Sequence, residues 1–186
     1  MPVIFLNFND HFNHIKTTFY HFMHYQSNTI VIREFTAQEL PVFLSLFDNP
    51  NVTIYLPYKT PEEYIGMFQK ALRDYKEGFL SRWGIFNPLN NEFVGMGVAR
   101  IFADNPDQIE IGYVLGENYW GKGIAAEVCK ALVQYCLSLN TNKEIVAVTD
   151  LDNIGSQKVL AKNRFNRIEN LVRENEELAY FIFQEK

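Results

Sequence analysis

The stretch Asn118–Glu127, NYWGKGIAAE, constrains the fold of this 186-residue chain more than any other. It follows a short strand-like run, Ile109–Leu115 (IEIGYVL), and leads into residues 122–138, where Ile124, Val128, Leu132, Tyr135 and Leu139 recur at helical spacing. Gly121 and Gly123 flank Lys122 at the start of that helix, where glycine costs about 0.5–1 kcal/mol relative to alanine. The first four N–H groups of a helix have no partner inside it, and the macrodipole adds partial positive charge. A helix start without Cβ atoms therefore receives an anion such as phosphate well, and Lys122 adds charge. The alternative is a tight turn that packs closely on a sheet, and spacing alone leaves both open.

The remaining punctuation gives the order of elements. TIVIREF from Thr29 is β-branched and strand-like, and TAQE at Thr36–Glu39 is a capping box opening a helix through LPVFLSLF. After a turn at Asn49–Pro50, TPEE from Thr60 sets an N-cap, a proline at the first helical position and acids in the first turn. Tyr64, Ile65, Phe68, Ala71, Leu72 and Tyr75 follow at helical spacing, and Gly78 ends the segment. FLSRWGIF, EFVGMGVARIF and IEIGYVL are joined by turn-rich connections and predict an antiparallel meander. EIVAVTD reads as a buried strand, NIGSQKVLAKN as a helix, and FNRIENLV and ELAYFIF as two closing strands. The fold class is therefore α/β (α+β): a mixed, mostly antiparallel central sheet of six to seven strands with helices on both faces.

At this length one domain with a single core is expected, over residues 30–186, preceded by an extension of uncertain structure over residues 1–29. The extension is rich in Phe and Asn and holds all four histidines, His11, His14, His21 and His24. Their pairwise spacing of three would let two share a helix face and bind a metal, but an aromatic-rich extension is the simpler reading, and no metal is expected. Seventeen basic against 22 acidic residues give a net charge of −5, the wrong sign for a nucleic-acid partner and better suited to a cationic one. No stretch approaches the ~20 apolar residues of a membrane span, and no secretory signal pattern stands at the start. Cys129 and Cys136 lie seven apart on the predicted helix, separated by about 10 Å at 1.5 Å per residue, too far for a disulfide. They read as buried small hydrophobes of a chain in a reducing compartment, the cytoplasm.

Neither the P-loop pattern nor the dinucleotide Gly-x-Gly-x-x-Gly fingerprint is present. WGKGIA resembles instead the Gln/Arg-x-x-Gly-x-Gly/Ala signature of the GNAT superfamily of N-acetyltransferases, with Trp120 where Gln or Arg is usual. The similarity extends through IGYVLGENYWGKGIAAEVCKALVQYC and AVTDLDNIGSQKVLAKNRF, and looks like the branch that includes the ribosomal-protein N-terminal acetyltransferases. It runs from about Ile30 to the C-terminus and is most specific between Ile109 and Phe165.

The resemblance implies an acetyl-coenzyme A-dependent N-acetyltransferase that moves acetyl directly to a primary amine, of a protein N-terminus or a small molecule. It implies that the backbone at Trp120, Gly121, Lys122, Gly123, Ile124 and Ala125 holds the pyrophosphate. Tyr113, Val114 and Leu115 would then line pantetheine as it enters a gap between two splayed strands, and one amide there would polarise the thioester carbonyl. Asn153 and Ser156 match the DNxxS pattern, which places Asn153 near pantetheine and Ser156 near the sulfur, though either would also serve as a helix cap. Many members carry a tyrosine four residues after the serine, where this chain has Leu160, so Ser156 or a water beside it is the candidate acid. Arg164 replaces the glycine of the usual Lys-x-Gly-Phe ending.

Glu110 is the candidate base, directly or through water, against an ordinary carboxylate on an exposed strand face. Trp83, Tyr113 and Tyr119 are candidate walls of an acceptor pocket. The rival expectation is a catalytically inactive acyl-coenzyme A-binding or protein-interaction module of the same fold, kept open by Leu160. The chain is expected to be a monomer or homodimer without membrane or nucleic-acid partners.

Overall fold

In the computed structural model, residues 23–173 and 176–185 are described; His11, His14 and His21, and with them the paired-histidine expectation, lie outside these residues. The elements are β1 (Tyr25–Gln26), β2 (Val31–Arg33), α1 (Leu40–Ser45), α2 (Pro50–Thr53), α3 (Pro61–Glu77), β3 (Arg82–Phe86), β4 (Phe93–Phe102), β5 (Asn105–Leu115), α4 (Ile124–Ser138), β6 (Glu144–Asp150), α5 (Ile154–Lys162), β7 (Phe165–Arg167), β8 (Leu171–Arg173) and β9 (Glu176–Phe183). One sheet runs β1-β2-β3-β4-β5-β6-β9-β7, with β8 also paired to β9. Among the described strands only β5 and β6 pair in parallel.

The architecture is the expected one, with nine described strands rather than six or seven. Two strands were missed for separate reasons. β1 is only two residues long and lies in the aromatic stretch assigned to the extension, where Met23 is buried in the core. The FNRIENLV run is interrupted after Arg167 and forms β7 and β8, both on β9. The Asn49–Pro50 turn is the start of α2: the Asn49 side chain accepts from the Asn51 amide at 2.9 Å and Pro50 takes the first helical position.

The helix starts follow their caps. Thr60 and Glu63 exchange hydrogen bonds, 2.7 Å from the Thr60 amide to the Glu63 carboxylate and 3.3 Å from the Glu63 amide to the Thr60 hydroxyl. Glu39 accepts from the Thr36 amide at 2.8 Å. α1 and α3 bury Phe43 and Phe68 against Phe35, Phe86 and Met96 on one face of the sheet. On the other face α4 lays Val128, Cys129, Leu132 and Cys136 over Trp83, Ala99, Ile109 and Ile111. Period-2 alternation divides β5 accordingly: Ile109 and Ile111 meet α4, while Glu110 and Val114 face the side of α1 and α3. No described helix is long and apolar enough to cross a membrane.

Candidate active site

Two adjacent strands come apart at the centre of the sheet. β5 pairs with β6 only at Gln108↔Glu144, Ile109↔Ile145 and Glu110↔Val146. Beyond Glu110, β5 stays on β4 as far as Gly95↔Leu115. β6 instead stays on β9 as far as Asp150↔Leu178. Each strand is held by its outer neighbour while the inner edges diverge, so β5 presents an unpaired edge over Ile111–Leu115. Unpaired strand edges inside a fold call for another hydrogen-bonding chain. Gly95 backs the open segment: a Cβ there would lie 2.2 Å from the Val114 carbonyl oxygen, so only glycine allows β4 to approach so closely.

The start of α4 lies where β5 ends. Gly121 and Gly123 have φ of +72° and +81°, the left-handed region that favours glycine. A Cβ at either position would meet nothing within 4 Å, so protein packing does not require the glycines. The loop needs their φ, and the backbone there lies bare. The amides of Ala126 and Glu127 reach the Gly123 carbonyl at 3.1 and 3.2 Å. Those of Gly121, Lys122, Gly123, Ile124 and Ala125 have no acceptor among the described residues. Ile124 is buried and anchors the helix start in the core, and the Lys122 ammonium stands 5.8 Å from the Tyr119 ring. Five unpartnered amides, a helix N-terminus and a lysine form an anion-binding end.

Trp120 fixes the loop. Its indole N–H donates to the Leu115 carbonyl at 2.9 Å, tying the end of β5 to the glycine turn, while the ring stays half-exposed. Leu115 therefore offers a carbonyl that already accepts one bond. The Glu117 carboxylate accepts from Asn49 and Asn51 at 2.8 and 2.9 Å, which clamps the loop to α2 and holds its carboxyl below the usual range.

Across the gap, Asn153 is the N-cap of α5, its side-chain oxygen accepting from the Ser156 amide at 3.0 Å. The capping reading of Asn153 is thus met, and the same bond fixes the first turn that carries Ser156. The Ser156 hydroxyl lies 3.3 Å from the Tyr113 hydroxyl, a side-chain bond between β5 and α5 that spans the opening. Burial pushes the Tyr113 phenol up to about 12, although its bond with Ser156 works the other way. Leu160 is buried in the core.

Glu110 is the last β5 residue paired with β6 and marks the apex of the opening. It is buried, not on an exposed strand face, and both its oxygens accept from Arg100 at 2.9 Å, from Nε and from a terminal nitrogen. Arg100 is its cross-strand partner, a role that only register reveals. Trp83 is core, edge-to-face with Tyr135 at 5.2 Å; on the α4 face it does not wall an acceptor pocket. Tyr119 stays near the loop. No group of three His, Cys, Asp or Glu residues gathers as a metal site among the described residues.

Known proteins share this fold. The acetyltransferase (GNAT) domain model matches residues 29–166. The uncharacterized N-acetyltransferase p20 of Bacillus licheniformis is 30% identical over 151 residues, spanning 79% of this chain and 84% of p20. A GNAT-family acetyltransferase from Bacillus anthracis, 21% identical, superimposes with a TM-score of 0.72 over 87% of this chain and 98% of its own. RimL, a ribosomal L7/L12 alpha-N-protein acetyltransferase solved in complex with coenzyme A, is 19% identical and gives a TM-score of 0.70 over 84% of this chain and 94% of its own. With a strand opening beside a bare glycine helix start, and a domain match covering most of its length, the chain belongs to the GNAT family of N-acetyltransferases.

Proposed function

We propose that the chain transfers an acetyl group from acetyl-coenzyme A directly to a primary amine in a ternary complex. The observation that carries this is the opening between β5 and β6 lying against the unpartnered amides of Gly121–Ala125. The anionic pyrophosphate suits those amides and Lys122, and the unpaired β5 edge at Tyr113, Val114 and Leu115 suits the amides of pantetheine, with Asn153 on the far side. An amide of β5 then polarises the thioester carbonyl as negative charge builds on its oxygen. The amine attacks the carbonyl carbon, the C–S bond breaks, and the amine's surplus proton leaves as the sulfur gains one. Ser156 is the proposed donor to the sulfur, and Leu160, buried and without a proton to give, has no part.

Glu110 is the proposed acceptor of the amine's proton. Because both its oxygens already accept from Arg100, it acts through water. An α-amine, whose deprotonation at pH 7 costs about 1 kcal/mol, asks less of such an indirect base than a lysine-like amine at about 4–5 kcal/mol. RimL, which acts on a protein's α-amine by its name, supports a protein N-terminus as one acceptor class.

Calorimetry with acetyl-coenzyme A, followed by a panel of amines scored for coenzyme A release and added acetyl mass, tests the proposal. Binding with transfer to at least one amine is expected. No binding at high micromolar acetyl-coenzyme A would refute it. Binding without transfer to any amine would instead establish a non-catalytic acyl-coenzyme A-binding module.

A further inference from the structure

Ser156 differs from the other serines of the chain. Ser27, Ser45, Ser81 and Ser138 each give their hydroxyl proton to a backbone carbonyl, of Ile30, Val42, Ala71 and Tyr135 respectively. A serine in the first turns of a helix commonly bonds back in this way. Ser156 does not, and its hydroxyl has one hydrogen-bonding neighbour among the described residues, the Tyr113 hydroxyl at 3.3 Å. Tyr113 comes from the opposite wall of the opening, on β5, and packs against the core on the α4 face.

A hydroxyl pair holds one hydrogen between its oxygens and leaves the other free. Either hydroxyl can donate in this pair, and the phenol, the more acidic of the two, is the better donor, which favours Tyr113 giving the shared hydrogen and Ser156 accepting it. The Ser156 amide is at the same time fixed to Asn153. With its oxygen acting as acceptor and its helical turn held, Ser156 keeps its own O–H free to point into the opening.

We propose that Tyr113, through its side-chain hydroxyl, is a positioning residue for the reaction: it donates to Ser156 Oγ and thereby turns the Ser156 hydroxyl proton toward the sulfur that leaves. The step balances without net change in Tyr113. As the C–S bond breaks, its electron pair stays on sulfur, and the Ser156 O–H passes its proton to sulfur as its oxygen takes up, through water, the proton released by the amine, so that S–H forms and no free alkoxide is left. The serine oxygen keeps the Tyr113 hydrogen bond throughout. Burial keeps Tyr113 protonated, so the donor is present throughout the working pH range. The proposal rests on the reading of Ser156 as proton donor.

The test needs no acceptor amine. Coenzyme A itself is the probe, and the pKa of its bound thiol is read by the ultraviolet difference absorbance of the thiolate across pH, with affinity measured by calorimetry in parallel. A hydroxyl aimed at sulfur stabilises the thiolate, so wild type should lower the bound thiol's pKa. Ser156→Ala should abolish the lowering, Ser156→Thr should retain it, and Tyr113→Phe should lose most of it. The double variant should match Ser156→Ala, since the two groups act as one unit. A lowered pKa in wild type that Ser156→Ala leaves in place removes Ser156 as donor, and with it the underlying reading. A lowering lost in Ser156→Ala but intact in Tyr113→Phe overturns the positioning role alone.

Discussion

The Gly123→Ala substitution separates what the glycine turn does for the fold from what it does for the ligand. At φ of +81° an alanine costs about 1–2 kcal/mol in the folded state. The stiffer unfolded chain offsets about 0.4–1 kcal/mol of that, leaving a net loss of roughly 0.5–1 kcal/mol. No clash adds to it, because the new Cβ meets nothing within 4 Å. For a chain of this size the melting temperature should fall by about 1–4 °C. The effect on acetyl-coenzyme A should be larger. The methyl group projects into the open space in front of the helix start, and a lost hydrogen bond to a charged oxygen is worth about 1.5–3 kcal/mol, or roughly 10- to 150-fold in affinity. Calorimetry against acetyl-coenzyme A and against acetyl-pantetheine, which lacks the pyrophosphate, localises the loss: the first should weaken and the second should not. Gly78→Ala is the control, since Gly78 has an extended backbone and open surroundings at the end of α3. Unchanged acetyl-coenzyme A affinity in Gly123→Ala, or an equal loss for both ligands, would refute phosphate binding at this helix end.

Trp120→Phe removes the indole bond to the Leu115 carbonyl; with the ring half-exposed, stability should drop by only about 0.5 kcal/mol, and acetyl-coenzyme A affinity should fall several-fold as the loop loosens. An unaltered titration would show that Trp120 does not pin the loop. Glu110→Gln leaves Arg100 without its counter-charge, and because Arg100 is 45% exposed and water reaches it, the loss should be about 1 kcal/mol rather than the 3–5 of a fully buried pair. Thermal melts check this, and a pH–rate profile unchanged from wild type would remove Glu110 as base. At high pH, burial raises the Cys129 and Cys136 thiols from 9.0 to about 12 and the Tyr113 phenol from 10.0 to about 12. The unfolded chain loses these protons first, so the contribution of these three groups to stability is level below about pH 9 and declines between pH 9 and 12. Denaturant midpoints at neutral pH and at pH 10.5 measure the decline, which Cys129→Ala with Cys136→Ala should reduce.

Local chemistry made most of the fold legible. The Thr60–Glu63 capping box and the helical spacing of Phe68 and Ala71 are local signals, and α3 begins where they say. Gly121 and Gly123 were legible as a helix start, but their φ and the open space around them emerge only in three dimensions. β1 was not legible because two residues cannot show a period, and α2 was missed although Asn49–Pro50 carries both an N-cap and a first-position proline. The strand opening has no local signature: it arises because β4 keeps β5 and β9 keeps β6. For the same reason the Arg100–Glu110 pair and the Tyr113–Ser156 contact, 10 and 43 residues apart in sequence, were out of reach.

Acetyl transfer itself tests the account most directly. The protein is incubated with acetyl-coenzyme A and a panel of α-amines, including peptides with free and blocked N-termini, while thiol release and acetylated product are followed together. Equal amounts of free coenzyme A and N-acetylated amine are expected, with the blocked peptides inert. Acetyl-coenzyme A that binds tightly yet stays intact before every free amine would contradict it.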